Sequence, residues 1–258
     1  METFLRNKSI GGHNFILFLV DEKSGYCIGV PLGNKSKKSI EDAMIDIVKE
    51  FNQYGHKVLR ITCDDERTLM SAKAELAAIG IHLDSTPPDL HEKRAERYIQ
   101  TLKRRKAAML ASLPYELPDK LEGEAYLSAI RCMNITPNKA SGSHSPYQLV
   151  TRKRPDLPLY YFGQTGVFNM KRQDKPDQHG EWGIFLGFGN VNGFLRAYIP
   201  HRDGVYGKRK FVPNPNYPKE WNLSVRVKPT EQVIKRLESK RLDPFTPPGL
   251  PAPAATDT

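Results

Sequence analysis

Asn14-Phe15-Ile16-Leu17-Phe18-Leu19-Val20 is followed, across Asp21-Glu22-Lys23-Ser24-Gly25, by Tyr26-Cys27-Ile28-Gly29-Val30-Pro31. Two apolar runs of strand length flank a cluster of turn-forming residues, which is the pattern of a β-hairpin. Downstream the period changes. Ile40, Ala43, Met44, Ile47, Val48 and Phe51 recur at helical spacing between a capping Ser39 and Gly55. Val58, Leu59, Ile61 and Cys63 then predict a strand that stops at Asp64-Asp65-Glu66. A helix over 68–79, a brief strand over 81–83 and a break at Pro87-Pro88 come next. Long helices over 91–110 and 119–133 complete this half, the first with Ala95, Tyr98, Ile99, Leu102 and Met109 as its apolar stripe. Alternating elements of this kind predict an α/β layered domain with a mixed sheet.

Beyond Pro146 short apolar runs are joined by Gly and Asn turns. Ile184-Phe185-Leu186, Phe194 to Ile199 and Val205 to Val212 are the clearest. They predict a small antiparallel barrel-like module. From Pro213 proline recurs, and the tail reads as largely disordered, with room for a short helix near 231–240. The expected division is a core over 1–137, a linker over 138–159, the β module over 160–213 and the tail over 214–258.

Composition bounds the chemistry. The chain has 258 residues, of which 39% are hydrophobic, enough for a sizeable core, and no apolar run reaches membrane-spanning length. Cys27, Cys63 and Cys132 are odd in number and far apart, so they form neither a disulfide framework nor a zinc ribbon. A reduced, intracellular protein is expected. Seven histidines lie scattered without a partner at ligand spacing. Gly187-Phe188-Gly189 opens no helix, and no nucleophile elbow is present, so neither a dinucleotide cofactor nor serine hydrolysis is indicated. The net charge of +10 favours a polyanionic partner.

That charge is concentrated in His91 to Lys106, where Lys93, Arg94, Arg97, Lys103, Arg104, Arg105 and Lys106 face only Glu92 and Glu96. Seven cations on one helix suit a phosphate backbone; a solvated helix face is the plainer alternative. Two acids stand out as candidates for chemistry. Asp64 ends a strand, where functional groups of open α/β sheets collect, although an acid there also serves as a helix cap. Glu96 follows 32 positions later inside the basic helix. Glu92 with Glu96, and Lys93 with Arg97, are like charges one turn apart, an arrangement that a bound cation and a bound phosphate would relieve.

Several stretches together resemble copia-type retrotransposon integrases. They are the hairpin Phe18 to Tyr26, the strand end Ile61-Thr62-Cys63-Asp64-Asp65-Glu66, and the run Thr86 to Arg97 with its Ala95-Glu96-Arg97. Ser145 to Val150, Lys153 to Leu157, Tyr161-Phe162-Gly163, Gly183 to Phe188 and Arg196 to Pro200 follow in the family's order. The resemblance implies an RNase H-like core in which two aspartates and a glutamate hold two Mg²⁺ or Mn²⁺ ions for phosphodiester strand transfer, that is, DNA integration. Asp64 matches the second aspartate and Glu96 the glutamate. Counting back from the hairpin puts the first aspartate at or before Met1, and Asp21 matches a non-catalytic position. The resemblance therefore implies a DNA-binding protein whose strand transfer is impaired in this chain. It also implies multimer formation and residence in the nucleus or a retrotransposon particle. A non-catalytic nucleic-acid-binding remnant is the alternative. A ribonuclease H-like nuclease would leave the C-terminal module unexplained.

Overall fold

The computed structural model describes residues 3–4, 8–64, 67–86, 93–139, 141–155, 160–169, 180–189 and 194–216. The tail beyond 216, Pro87-Pro88 and the start of the basic segment lie outside these. The first sheet is antiparallel: β1 (Thr3–Phe4), β2 (Phe15–Val20) and β3 (Cys27–Leu32) lie in that order. The hairpin pairs every residue of β2 with one of β3, Phe15 with Leu32 through Val20 with Cys27. Its turn is fastened by Asp21, whose carboxylate accepts from the Ser24 N–H at 2.8 Å and the Ser24 hydroxyl at 2.5 Å. Gly25 closes the turn at φ +72°, where a Cβ would lie 2.3 Å from the Tyr98 hydroxyl, so only glycine fits.

β2 is apolar without alternation because both of its faces are covered. Leu17 enters one core with Ile28 and Leu32 of β3 and with Ile40, Ala43, Met44, Ile47 and Val48. The last five come from α1 (Lys37–Gln53). The helix starts before the expected Ser39, because the Ser36 side chain accepts from the Ser39 N–H and Ser36 is itself extended. Ile16, Phe18 and Cys27 face the other way. They pack against Leu102 of α4 (Lys93–Ala111) and Tyr126, Ala129, Ile130 and Met133 of α5 (Glu122–Ile135). A Cβ on Gly29 would meet Ile130 at 2.4 Å, so the absent side chain sets how closely α5 approaches β3. Burial pushes the Cys27 thiol up to about 12, and it raises Cys132 in the same direction. Both thiols are held neutral, Cys27 in the core and Cys132 at a half-buried position on α5.

A second, parallel pair is formed by β4 (Arg60–Asp64) and β5 (His82–Thr86), running from Arg60 beside His82 to Asp64 beside Thr86. The single helix expected between them is broken into α2 (Arg67–Met70) and α3 (Lys73–Ala78), and the Ser71 hydroxyl donates to the Thr68 carbonyl at the break. The architecture is mixed α/β in three layers. The mixed sheet is not continuous, however: among the described residues no ladder joins β2 to β4. The region expected as a linker holds α6 (Pro146–Thr151), which starts at a full capping box between Ser145 and Gln148 and buries Val150 in the α1 core.

The C-terminal strands are β6 (Thr165–Asn169), β7 (Glu181–Phe188), β8 (Leu195–Ile199), β9 (Gly204–Lys208) and β10 (Lys210–Pro213). They form an antiparallel sheet ordered β10-β6-β7-β8-β9. No ladder among the described residues closes it into a barrel. The expected last strand instead breaks at Arg209, so that one stretch of chain supplies both edges. One face gathers Phe168, Phe185, Leu195, Ala197, Ile199 and Phe211, with the Phe168 and Phe211 rings stacked at 4.4 Å. The other face packs Ile184, Leu186 and Tyr198 onto Leu113, Tyr115, Leu121 and Ala125. Glu124 of α5 accepts from Arg196 Nε at 3.2 Å and Nη2 at 2.5 Å, and the Tyr115 hydroxyl donates to the Gly163 carbonyl. Burial opposes ionisation of Glu181, but the Lys208, Arg202 and His201 side chains around it win and lower its pKa.

The edge of β3 that faces α5 is closed by a side chain. Asn134 accepts from the Cys27 N–H at 2.7 Å and donates to the Cys27 carbonyl at 2.7 Å, in place of a neighbouring strand. Asn134→Ala leaves both buried backbone groups without these bonds. It is expected to lower stability by about 2–4 kcal/mol, read as a lower urea midpoint at unchanged m-value.

Candidate functional site

A cavity of about 700 Å³ separates the two sheets. Leu17 to Val20 line one wall, Val58 to Cys63 the opposite wall, and Met44, Ile47 and Val48 the floor on the α1 side. Ala95, Glu96 and Ile99 of α4 close the other side, and the hairpin turn Asp21 to Ser24 lines one end. The first turn of α4 is thereby held over the cavity that β4 borders. That position follows from the inward stripe of the helix, in which Tyr98 and Ile99 pack against β2 and the hairpin while Leu102 is fully buried.

Glu96 is exposed, in the first turn of α4, where the partial positive charge of the helix N-terminus favours a carboxylate. Asp64 is the last residue of β4; its side chain lies outside the described residues, as do Asp65 and Glu66. Thr62 and Cys63, which lead to Asp64, share the cavity with Glu96. Asp21 also lines it, but its carboxylate is engaged by Ser24. Among the described residues no three His, Cys, Asp or Glu side chains converge as a metal site. The described donors alone therefore do not fit a two-metal centre; of the two acids singled out from the sequence, Asp64 and Glu96, Glu96 is the one at the cavity whose side chain is described, and Asp21 and Glu22 are further acids of the lining.

The basic residues of α4 divide by direction. Arg97, Lys103 and Arg104 are exposed. Arg105 turns to α5, its Nη1 donating to the Cys132 carbonyl at 3.4 Å and to the Thr136 hydroxyl at 3.3 Å. Lys106 pairs with Glu122, both side chains about one-seventh exposed at 14% and 13%, and its ammonium sits 4.2 Å from the centre of the Tyr126 ring. These two cations hold α4 to α5. Lys93 and Arg94 open the helix, and their side chains lie outside the described residues. Helical spacing carries the signal for this division, since Lys106 lies one turn beyond buried Leu102 and before Met109.

No protein-family model matches the chain, and no curated protein matches it. Solved structures do show similarity. The catalytic core domain of BIV integrase aligns over 59% of this chain and 91% of its own, at 16% identity and a TM-score of 0.44. The HTLV-2 integrase catalytic core domain, in complex with magnesium and in a trimeric form, aligns over 58% and 90%, at 14% identity and a TM-score of 0.44. No helix among the described residues is long and apolar enough to cross a membrane.

The division of charge on α4 has a measurable consequence. Lys106→Ala removes the cation beside a largely buried Glu122 and is expected to cost about 3 kcal/mol of stability. Arg104→Ala, on the exposed face, is expected to stay within about 0.5 kcal/mol. Chemical denaturation of the two variants compares them directly.

Proposed function

We propose that this chain is an integrase-like DNA-binding protein whose candidate reactive centre lies where the end of β4 meets the first turn of α4. The observation that carries the reading is that Glu96 and the residues leading to Asp64 border one cavity while the same helix turns Arg97, Lys103 and Arg104 to solvent. A carboxylate pair beside a row of cations is what phosphodiester chemistry on a polyanion requires. The ordered resemblance of the hairpin, the strand end and the Ala95-Glu96-Arg97 segment to copia-type integrases supports the same reading.

In this reading Asp64 and Glu96 hold a divalent cation, Mg²⁺ or Mn²⁺, which when bound acts as a Lewis acid on a phosphate oxygen. Two carboxylates are too few to offset the mutual repulsion of two adjacent divalent ions. Strand transfer by the chain as it stands is accordingly expected near background. The engagement of Asp21 by Ser24 favours this weakly catalytic version, and with it the alternative of a non-catalytic nucleic-acid binder. DNA is the partner in both, without a small-molecule cofactor.

The test is a duplex DNA titration by fluorescence anisotropy at several salt concentrations between about 50 and 200 mM. Affinity is expected to fall steeply with salt and to vary little with sequence. Replacing Arg97, Lys103 and Arg104 with alanine should weaken binding and flatten the log–log salt slope by up to about three. Unchanged affinity and slope would place the DNA surface elsewhere. For the carboxylates, Asp64→Asn and Glu96→Gln should each weaken Mn²⁺ binding by calorimetry; binding equal to that of the unsubstituted chain removes them as ligands.

A further inference from the structure

Glu96 stands near the end of a helix, and helix ends open more easily than helix middles. Leu102 is fully buried, but it lies six positions further on, about 9 Å along the axis. Nearer to Glu96 the inward side chains are Ile99, Tyr98 and Ala95. Ala95 and Ile99 border the cavity, whereas Tyr98 reaches across to the hairpin turn.

The seat that receives Tyr98 is backbone. Its hydroxyl occupies the place where a Cβ on Gly25 would lie, and Asn138 Nδ2 is 3.0 Å from the same point. The turn beneath is fastened from within. The Gly25 N–H donates to the Asp21 carbonyl at 2.8 Å, the Asp21 carboxylate holds Ser24, and both Ser24 and Gly25 are buried. Asn138 is fixed as well: its N–H donates to the Ser141 hydroxyl at 2.9 Å, and its Oδ1 accepts from the Ser141 N–H at 3.0 Å. A side chain two residues from Glu96 thus ends on two braced segments of chain.

We infer that Tyr98 is a positioning residue for Glu96: seated on Gly25 and Asn138, it fixes the first turn of α4 and with it the place of the carboxylate. The inference rests on the reading of Glu96 as a cation ligand and adds the contact that sets where this ligand stands. The plainer role for Tyr98 is that of an aromatic filling the core beside Ile16 and Phe18. That role would stabilise the whole fold and give no particular link between Gly25 and Glu96.

The test combines hydrogen exchange and Mn²⁺ calorimetry on the full chain. The first four N–H groups of a helix lack partners within it, so Arg97 carries the first amide of α4 that reports opening of this turn. Tyr98→Ala is expected to speed exchange at Arg97 at least about tenfold more than at Lys103 and Arg104, and to weaken Mn²⁺ binding about tenfold. Tyr98→Phe keeps the ring and should leave both within about threefold of the unsubstituted chain. Gly25→Ala drives a methyl group into the phenol and should reproduce the Tyr98→Ala pattern. Adding Tyr98→Phe to it removes the clashing oxygen, leaves the nearest ring carbon at 3.3 Å, and should restore most of the loss. Backbone strain from alanine at position 25 is common to both backgrounds and cancels in the comparison. If Gly25→Ala does not fold, the two Tyr98 variants decide alone. Equal acceleration along α4, or no recovery in the double variant, would assign Tyr98 to general packing and overturn the inference. Opening confined to Arg97 with Mn²⁺ affinity unchanged, or with no Mn²⁺ bound by the unsubstituted chain, would keep Tyr98 as the anchor of Glu96 and remove Glu96 as a ligand.

Discussion

A strand that is buried on both faces cannot be satisfied by one layer of helices. β2 imposes that requirement here: Leu17 needs α1, while Ile16 and Phe18 need α4 and α5. The rest of the core half is arranged to meet it. Gly29 lets α5 approach, Gly25 lets Tyr98 reach the hairpin turn, and Asn134 closes the edge of β3 where another strand would otherwise be needed. Because α4 is fixed by this packing, together with the Lys106–Glu122 pair and the Arg105 bonds to α5, the direction of Glu96 and of the exposed basic residues follows from burying Phe18 and from the joint with α5.

The same packing explains which parts of the fold were legible in the sequence. The hairpin and α1 were, because an apolar run and a helical period each extend over enough residues to leave one reading. Their ends were less so. Ser39 is a plausible cap by type, but the choice fell to Ser36 through one side-chain bond that the pattern does not encode. The break between α2 and α3 depends likewise on a hydroxyl folding back at Ser71. The separation of the sheets was not legible at all, because periodicity identifies strands and not which edges meet. A barrel was expected from the density of short strands and glycine turns; those features fix the antiparallel meander but not its closure.

The candidate site divides in the same way. That Asp64 ends a strand and Glu96 lies inside a basic helix could be read from sequence; that Glu96 sits in the first turn could not, because the expected start near His91 precedes the observed start at Lys93. Counting charges over His91 to Lys106, however, treats every cation as equivalent. The side-chain direction on a packed helix makes Arg105 and Lys106 part of the joint with α5, and leaves Arg97, Lys103 and Arg104 outside it. Charge density therefore located the element, and the apolar stripe of that element determined which of its cations remain available.

The bend at Arg209 bears on how the protein behaves at high concentration. An open sheet normally exposes two independent borders, and each can recruit a border from a neighbouring molecule. In the C-terminal sheet both borders belong to the ten residues Gly204 to Pro213, as β9 and β10. They are short, the stretch ends in Pro213, and exposed Arg209 and Lys210 stand at the junction between them, while Lys208 is buried against Glu181. Charge, brevity and proline are the means by which sheet borders resist joining end to end into fibrils. The borders of this sheet are thus poorly suited to edge-to-edge strand pairing, through the same few residues that complete its fold.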